Sequence, residues 1–349
     1  MVNRKIRVLA VIATVGLASI AGLIAISKSV SAADNTGDFS LQISPSPLVL
    51  TLKPGQATSV ELKVRNTGSQ TEDLKVSPRS FKIDDKESLV FDDVQTPEEA
   101  KWITFGSPTF TVAPGEVMTE KVTFAVPKDA GFSYSFALVI NRQKNAPSTG
   151  SGRQLKGSVA LFTLINIDRP GAVRKLDLSQ FTSDQSIYEY LPVKFDVKFK
   201  NTGNTIIQPS GNVFIQRGSN DATPISTLPV NKANGYILPG VTRTLKSEWS
   251  DGFQVAHTVM AVDGTTKQEL SWNWNNLSRI PIGRYTAKVV AIYNDGQRDV
   301  PIVGEVSFWV IPWKLLLGLL VVMVLVGAGL WTFIRSILHM KKKHMHFRS

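Results

Sequence analysis

The side chains that most often carry enzyme chemistry are scarce in this chain. It has no cysteine and four histidines, of which His339, His344 and His346 fall in a basic tail and only His257 lies within residues 34–311. A cysteine nucleophile and the common zinc sites are therefore excluded, and no Gly-x-Ser-x-Gly elbow is present. A lone histidine is a poor basis for a hydrolase, which needs a serine and a carboxylate beside it. No catalytic residue, metal ligand or cofactor is expected. The segment "KIDDKESLVFDD" gathers Asp84, Asp85, Glu87, Asp92 and Asp93. Its oxygens can bind calcium, but the spacing is not that of an EF-hand loop and the central glycine is missing, so a solvated hairpin accounts for it better. One pair has the chemistry of a ligand site: Trp272 and Trp274 in "LSWNWNNLS" are two apart and face one side of a strand. Exposed, they can stack on a sugar ring; buried, they are core or domain-interface packing.

The elements that would position these residues are short strands. In "VELKVRNTGSQ" Val60, Leu62 and Val64 alternate with polar residues, and in "VKFDVKFKNTGNT" Val193, Phe195, Val197 and Phe199 do the same. Period two is the pattern of a strand with one face in a core and one in water. Both stretches run into Asn-Thr-Gly, at Asn66 and again 135 residues later at Asn201. Gly68 and Gly203 are expected to supply the positive φ of a turn. Pro-Gly pairs at Pro54, Pro114 and Pro239 and Asp-Gly pairs at Asp251, Asp263 and Asp295 punctuate the rest, and no long helical period appears between Asp34 and Val310. The expected fold class is all-β, two tandem immunoglobulin-like β-sandwiches at 34–170 and 171–311. The boundary falls at "DRPGAVR", whereas "KNAPSTGSGRQ" (Lys144–Gln154) reads as a long hairpin loop.

The flanks carry topology. Arg4, Lys5 and Arg7 precede an apolar run from Val8 to Ile26, and "SVSAAD" offers small residues around Ala32, so residues 1–33 read as a helical export signal, cleaved or kept as an anchor. Leu315 to Ile334 is free of charge, with Trp309 and Trp313 at one edge and Trp331 near the other, so 312–335 reads as a membrane-spanning helix in contact with lipid. Arg335, Lys341, Lys342 and Lys343 then place the tail, 336–349, in the cytoplasm and the sandwiches outside the plasma membrane. Of the formal net charge of +11, ten units lie in the two flanks, which hold no acid, leaving +1 for 34–311. The exported part gives no electrostatic reason to expect nucleic acid.

Taken together, "FSLQISPSPLVLTLKPGQATSVELKVRNTGSQ" from Phe39, "FTVAPGEVMTEKVTFAVPKDAGFSYSFALVI" from Phe110, a second β domain, one span and a basic tail resemble the WxL-interacting surface proteins of Gram-positive bacteria. The resemblance implies a first domain that binds peptidoglycan and a second that binds host or partner proteins; it transfers no ligand residue. The expected function is thus a membrane-anchored bacterial surface scaffold that contacts cell-wall glycan or exported surface proteins. The alternative is a membrane-tethered chaperone or assembly factor for exported subunits. A groove between domains with a free strand edge would favour the chaperone, and an exposed Trp272–Trp274 pair would favour glycan.

Overall fold

The structure is a computed structural model that describes residues 39–84, 86–92, 96–143, 157–218, 223–260 and 266–345, so the expected signal at 1–33 lies outside the described residues. The first sandwich contains β1 (Leu41–Ser44), β2 (Leu48–Leu52), β3 (Ala57–Asn66), β4 (Glu72–Arg79), β5 (Phe81–Ile83), β6 (Leu89–Phe91), β7 (Ile103–Phe105), β8 (Thr109–Val112), β9 (Val117–Ala125), β10 (Ser133–Arg142) and β11 (Ser158–Ile167). Its sheets run β1-β3-β9-β7 and β2-β11-β10-β4-β8, and β5 with β6 forms a separate hairpin. The second contains β12 (Leu176–Ser183), β13 (Ile187–Tyr188), β14 (Val193–Asn201), β15 (Ser210–Arg217), β16 (Ser226–Pro229), β17 (Thr242–Trp249), β18 (Gln254–Met260), β19 (Thr266–Trp272), β20 (Gly283–Asn294) and β21 (Asp299–Val310). Its sheets run β12-β14-β17 and β13-β21-β20-β15-β16. Strand for strand this is the order of the first sandwich, down to the parallel pairs β2–β11 and β13–β21. The two differ by insertions: β5 to β7 in the first, the β18–β19 hairpin in the second. Helix α1 (Trp313–Met345) closes the chain.

Alternation builds each core. Leu62 and Val64 on β3 and Val193, Phe195, Val197 and Phe199 on β14 are all buried, while the residues between them face outward. In the second sandwich Phe308 lies at the centre of a ring cluster, 5.7 Å from Tyr188, 5.6 Å from Phe195 and 5.9 Å from Tyr285. The 144–156 segment, itself outside the described residues, connects two strands that pair antiparallel from Ser133↔Asn166 to Asn141↔Ser158.

The repeated Asn-Thr-Gly does a different job from the one expected of it. Asn66 and Asn201 continue the inward register of their strands and are fully buried. A buried carboxamide must satisfy its hydrogen-bonding groups inside the protein. Asn66 Nδ2 donates to the carbonyls of Gln70 (2.6 Å) and Val112 (3.0 Å), and its Oδ1 accepts from Gly68 N–H (2.9 Å). Asn201 Nδ2 donates to Thr205 (2.7 Å) and Ile237 (2.9 Å), and its Oδ1 accepts from Gly203 N–H (3.0 Å). The Asn66 carbonyl accepts from Gly115 N–H, and that of Asn201 from Gly240 N–H, each at 2.9 Å. Positive φ belongs to these Pro-Gly turns, at Gly115 (77°) and Gly240 (76°), and not to Gly68 or Gly203. With proline before each glycine and an i to i+3 bond (Glu116 N–H to Ala113, Val241 N–H to Leu238, both 3.1 Å), they are type II turns. Gly203 is required by close approach instead: a Cβ there would lie 2.3 Å from the Val173 carbonyl oxygen.

Asn201→Ala would take the Asn201 donor from the buried Thr205 carbonyl and leave the Ile237 carbonyl with its bond from Ile207 N–H, so the second sandwich should lose ~1–3 kcal/mol. Gly240→Ala should cost about 1 kcal/mol through its left-handed φ. Both are read from denaturant midpoints of the detergent-solubilised chain. Tyr188 and Tyr285, both buried in the second core, have phenols pushed above the ordinary tyrosine range, chiefly by burial, and Tyr188 further by the bond it donates to Asp184. The folded state holds these protons more tightly than the unfolded chain does. Stability is therefore intact below ~10 and falls as pH rises beyond it. The denaturation midpoint of the second sandwich should drop at strongly alkaline pH.

Candidate functional site

A concavity with an apolar wall lies where the sandwiches meet. Asn166 on β11 clasps the second domain through both ends of its amide: Nδ2 donates to the Ile206 carbonyl (3.0 Å) and Oδ1 accepts from Ile206 N–H (2.8 Å). Ser133 Oγ donates to the Asn204 carbonyl at 2.9 Å. Asn204 also holds the connecting turn, accepting from Val173 N–H (2.7 Å) and donating to the Gly171 carbonyl (2.9 Å). The expected boundary segment "DRPGAVR" is thus tied down on the domain that follows it.

A second bridge comes from the β5–β6 hairpin. Asp84 Oδ1 accepts from Lys86 N–H (2.9 Å) and Ser88 N–H (2.7 Å), so this carboxylate caps the hairpin turn. Asp85 and Asp93 lie outside the described residues. Glu87 takes a left-handed φ of 60° and reaches across to the edge of β17, where it accepts from Thr244 N–H (2.7 Å) and from the Thr244 hydroxyl. Left-handed backbone disfavours a residue with a Cβ, so these two bonds must offset about 1–2 kcal/mol of strain.

Between the two bridges is a cleft of ≈ 360 Å³. One wall is apolar: Phe81, Ile83, Leu89, Phe162 and Leu164. Phe81 meets Phe162 edge-on at 5.3 Å and Phe91 stacks on Phe162 at 6.4 Å, which holds the hairpin against β11. The other wall is the 233–238 loop with Val241, Thr242 and Arg243. That loop is braced by buried Asn231, whose Nδ2 donates to Pro209 (2.8 Å) and Gly235 (2.9 Å), and by Arg243 Nη1 donating to the Tyr236 carbonyl (2.6 Å). A Cβ at Gly235 would sit 2.8 Å from the Arg243 guanidinium, so a larger residue there would have to displace the end of that side chain. The cleft is preformed, and β17 on its rim is the outer strand of its sheet. No local motif announces it; its residues come from four separate stretches of chain.

The residues singled out by sequence fall elsewhere. His257 is exposed on β18, in a polar recess that includes Asp184, Glu189, Lys194 and Glu248 and that no serine lines among the described residues. Among the described residues no group of three or more potential metal ligands is found. Trp272 ends β19, and Trp274 opens a short 3-10 turn (Trp274–Arg279), so one strand does not carry both. Their rings nevertheless lie side by side, 6.4 Å apart and 19° from parallel, each edge-on to buried Phe253. They are 46% and 70% exposed. Arg335 is exposed at the end of the apolar part of α1; the side chains of Lys341, Lys342 and Lys343 lie outside the described residues.

No family model matches the chain, and no curated protein does. Solved structures similar to it include the YadV chaperone (13% identity, 77% of this chain and 99% of that one, TM-score 0.34). The E. coli chaperone DraB is similar at 13% identity over 67% of this chain and 96% of its own, with a TM-score of 0.33. A protein of unknown function from Porphyromonas gingivalis W83 reaches 18% identity over 76% and 99%, with a TM-score of 0.27. At these scores the likenesses carry no argument about what this chain does.

If the two bridges set the angle between the sandwiches, Glu87→Ala combined with Asn166→Ala should release it. Spin labels at Lys82→Cys and Lys232→Cys, exposed positions in a chain with no native cysteine, should show one narrow distance in the parent and a broad distribution in the double variant. The denaturation midpoints of the two sandwiches should be nearly unchanged, because the lost bonds lie between domains and not in either core.

Proposed function

We propose that this chain is a single-pass surface protein of the plasma membrane, with its sandwiches outside and its basic tail in the cytoplasm, and that it binds an extended apolar segment of another exported protein between its domains. The observation that carries this reading is the cleft: a groove with one apolar wall and an outer strand, β17, along its rim. Thr244 N–H is taken by Glu87, so strand addition, in which main-chain bonds supply affinity and alternate side chains find pockets, would use the part of the β17 edge beyond it. The anchor is supported by Trp313–Arg335, 23 residues containing an 18-residue stretch of mean hydropathy 2.5, none of it buried. At 1.5 Å per residue it is ~35 Å long, enough for a hydrocarbon core of ~30 Å. Arg335 and the lysines at 341–343 support the inward tail. A groove with a strand rim fits a membrane-tethered assembly factor or chaperone better than a passive spacer.

The second reading is contact with peptidoglycan, which the resemblance to WxL-interacting proteins assigns to the first domain. The exposed Trp272–Trp274 pair favours a glycan, but it sits on the second domain, at the end that meets α1.

A photo-crosslinker on Ala233→Cys, at the lip of the cleft, tests the leading reading in intact cells. The expected result is attachment to one or a few exported proteins, with the yield cut about tenfold by Leu89→Glu, as loss of ~1.4 kcal/mol of contact would do. Equal yield in the Leu89→Glu chain would sink the cleft as the site. Retention of the solubilised chain on purified sacculi, with no protein crosslinked, would transfer the argument to glycan.

A further inference from the structure

Strand β21 ends at Val310 and α1 begins at Trp313, so only Ile311 and Pro312 separate the second sandwich from the helix. These residues are not a loose tether. Trp309 N–H donates to the Ser186 carbonyl (2.9 Å), Ile311 N–H to Tyr188 (2.7 Å) and Trp313 N–H to Ile311 (2.8 Å). On the first turn of the helix, Lys314 Nζ donates to Glu189 Oε2 at 3.0 Å, which fastens the helix to the loop between β13 and β14. A span that starts at Trp313 therefore holds the lower end of the sandwich at the bilayer surface, within the reach of a side chain.

That end is where the exposed tryptophans are. Trp272 lines a recess together with Glu189, Tyr190, Pro312, Lys314 and Leu315, beside the first turn of the helix. Trp274 lies against it, and Trp309 and Trp313, 47% and 54% exposed, flank the junction, with Ile187 at 60%. Indole is the side chain most at home in the head-group layer, where an apolar ring and an N–H donor are both accommodated. The one cation on the first turn, Lys314, is paired with Glu189, so attraction to this surface would rest on rings and not on charge. Buried Phe253, 5.4 and 5.3 Å from the two rings, braces them from behind, so they are presented at a fixed position.

We propose that Trp272 and Trp274 are interfacial anchors that seat the second sandwich on the head-group layer of the same bilayer that α1 crosses. This rests on the membrane-anchored reading above, and the test separates the two. The full chain, with a spin label on Asn275→Cys or on Val324→Cys, is reconstituted into phosphatidylcholine vesicles. Collision of the label with a water-soluble nickel chelate is compared with collision with oxygen. The Val324 label should be shielded from nickel, and the Asn275 label should be partly shielded. Trp272→Ala with Trp274→Ala, and independently Trp274→Glu, should raise nickel access at Asn275 several-fold, with no dependence on salt. Full nickel access at Asn275 in the parent chain, with Val324 shielded, overturns the proposal and leaves the anchor standing. Access at Val324 overturns both. Immobilisation of the Asn275 label by added peptidoglycan fragments, with no response to lipid, also overturns the proposal in favour of a sugar ligand.

Discussion

Two carboxamides sealed in apolar cores are the constraint on which the rest of this molecule depends. A strand that ends on a buried asparagine cannot stop arbitrarily, because the amide must find partners within the protein. In each sandwich those partners are the carbonyl of the residue four positions on and a carbonyl of a distant stretch, Val112 or Ile237. The asparagine backbone then receives the amide of a Pro-Gly turn from yet another part of the chain. One side chain thereby fixes a strand end, a loop and a turn, and the same solution appears in both domains. Within the shared strand order Asn66 and Asn201 occupy equivalent places between equivalent neighbours.

From that clasp the junction is built outward. Asn204, three residues beyond the buried Asn201, holds the connecting turn and receives Ser133 from the first domain. Ile206 follows, gripped by Asn166. The loop that begins as a satisfied core amide thus ends as a domain interface, and the hairpin carrying Glu87 completes the enclosure from the other side. The cleft lies between these two polar bridges, with an apolar wall on the first domain and the mixed wall of the 233–243 stretch on the second.

Much of the architecture could be read from the chain, because strand alternation is local and each turn announces itself. Val60 to Val64 and Val193 to Phe199 identify their buried faces without reference to any other residue. The same period, carried two residues further, puts Asn66 and Asn201 on the inside, a signal present in the sequence and obscured by the glycine that follows. Expecting positive φ at Gly68 and Gly203 misplaced the left-handed residue, which belongs to the Pro-Gly turns, because an Asn-Thr-Gly triplet alone does not reveal which distant turn docks on it. The cleft was invisible for a related reason: Phe81, Phe162, Tyr236 and Arg243 meet only through tertiary contacts. Trp272 and Trp274 were visible as a pair, but their place beside Pro312 and Lys314 depends on how β21 hands over to the helix.

That handover has a mechanical meaning. With two hydrogen-bonded residues in place of a linker, the second sandwich is joined closely to α1, and the clasped junction above joins the first sandwich to the second. With the helix in a bilayer, the cleft would stand at one height and at one inclination to the surface. Spinning about the helix axis and drifting in the plane would be its principal freedoms. A bound segment would then meet the cleft in a restricted set of attitudes, and a pull on it would be felt as a tilt of the helix.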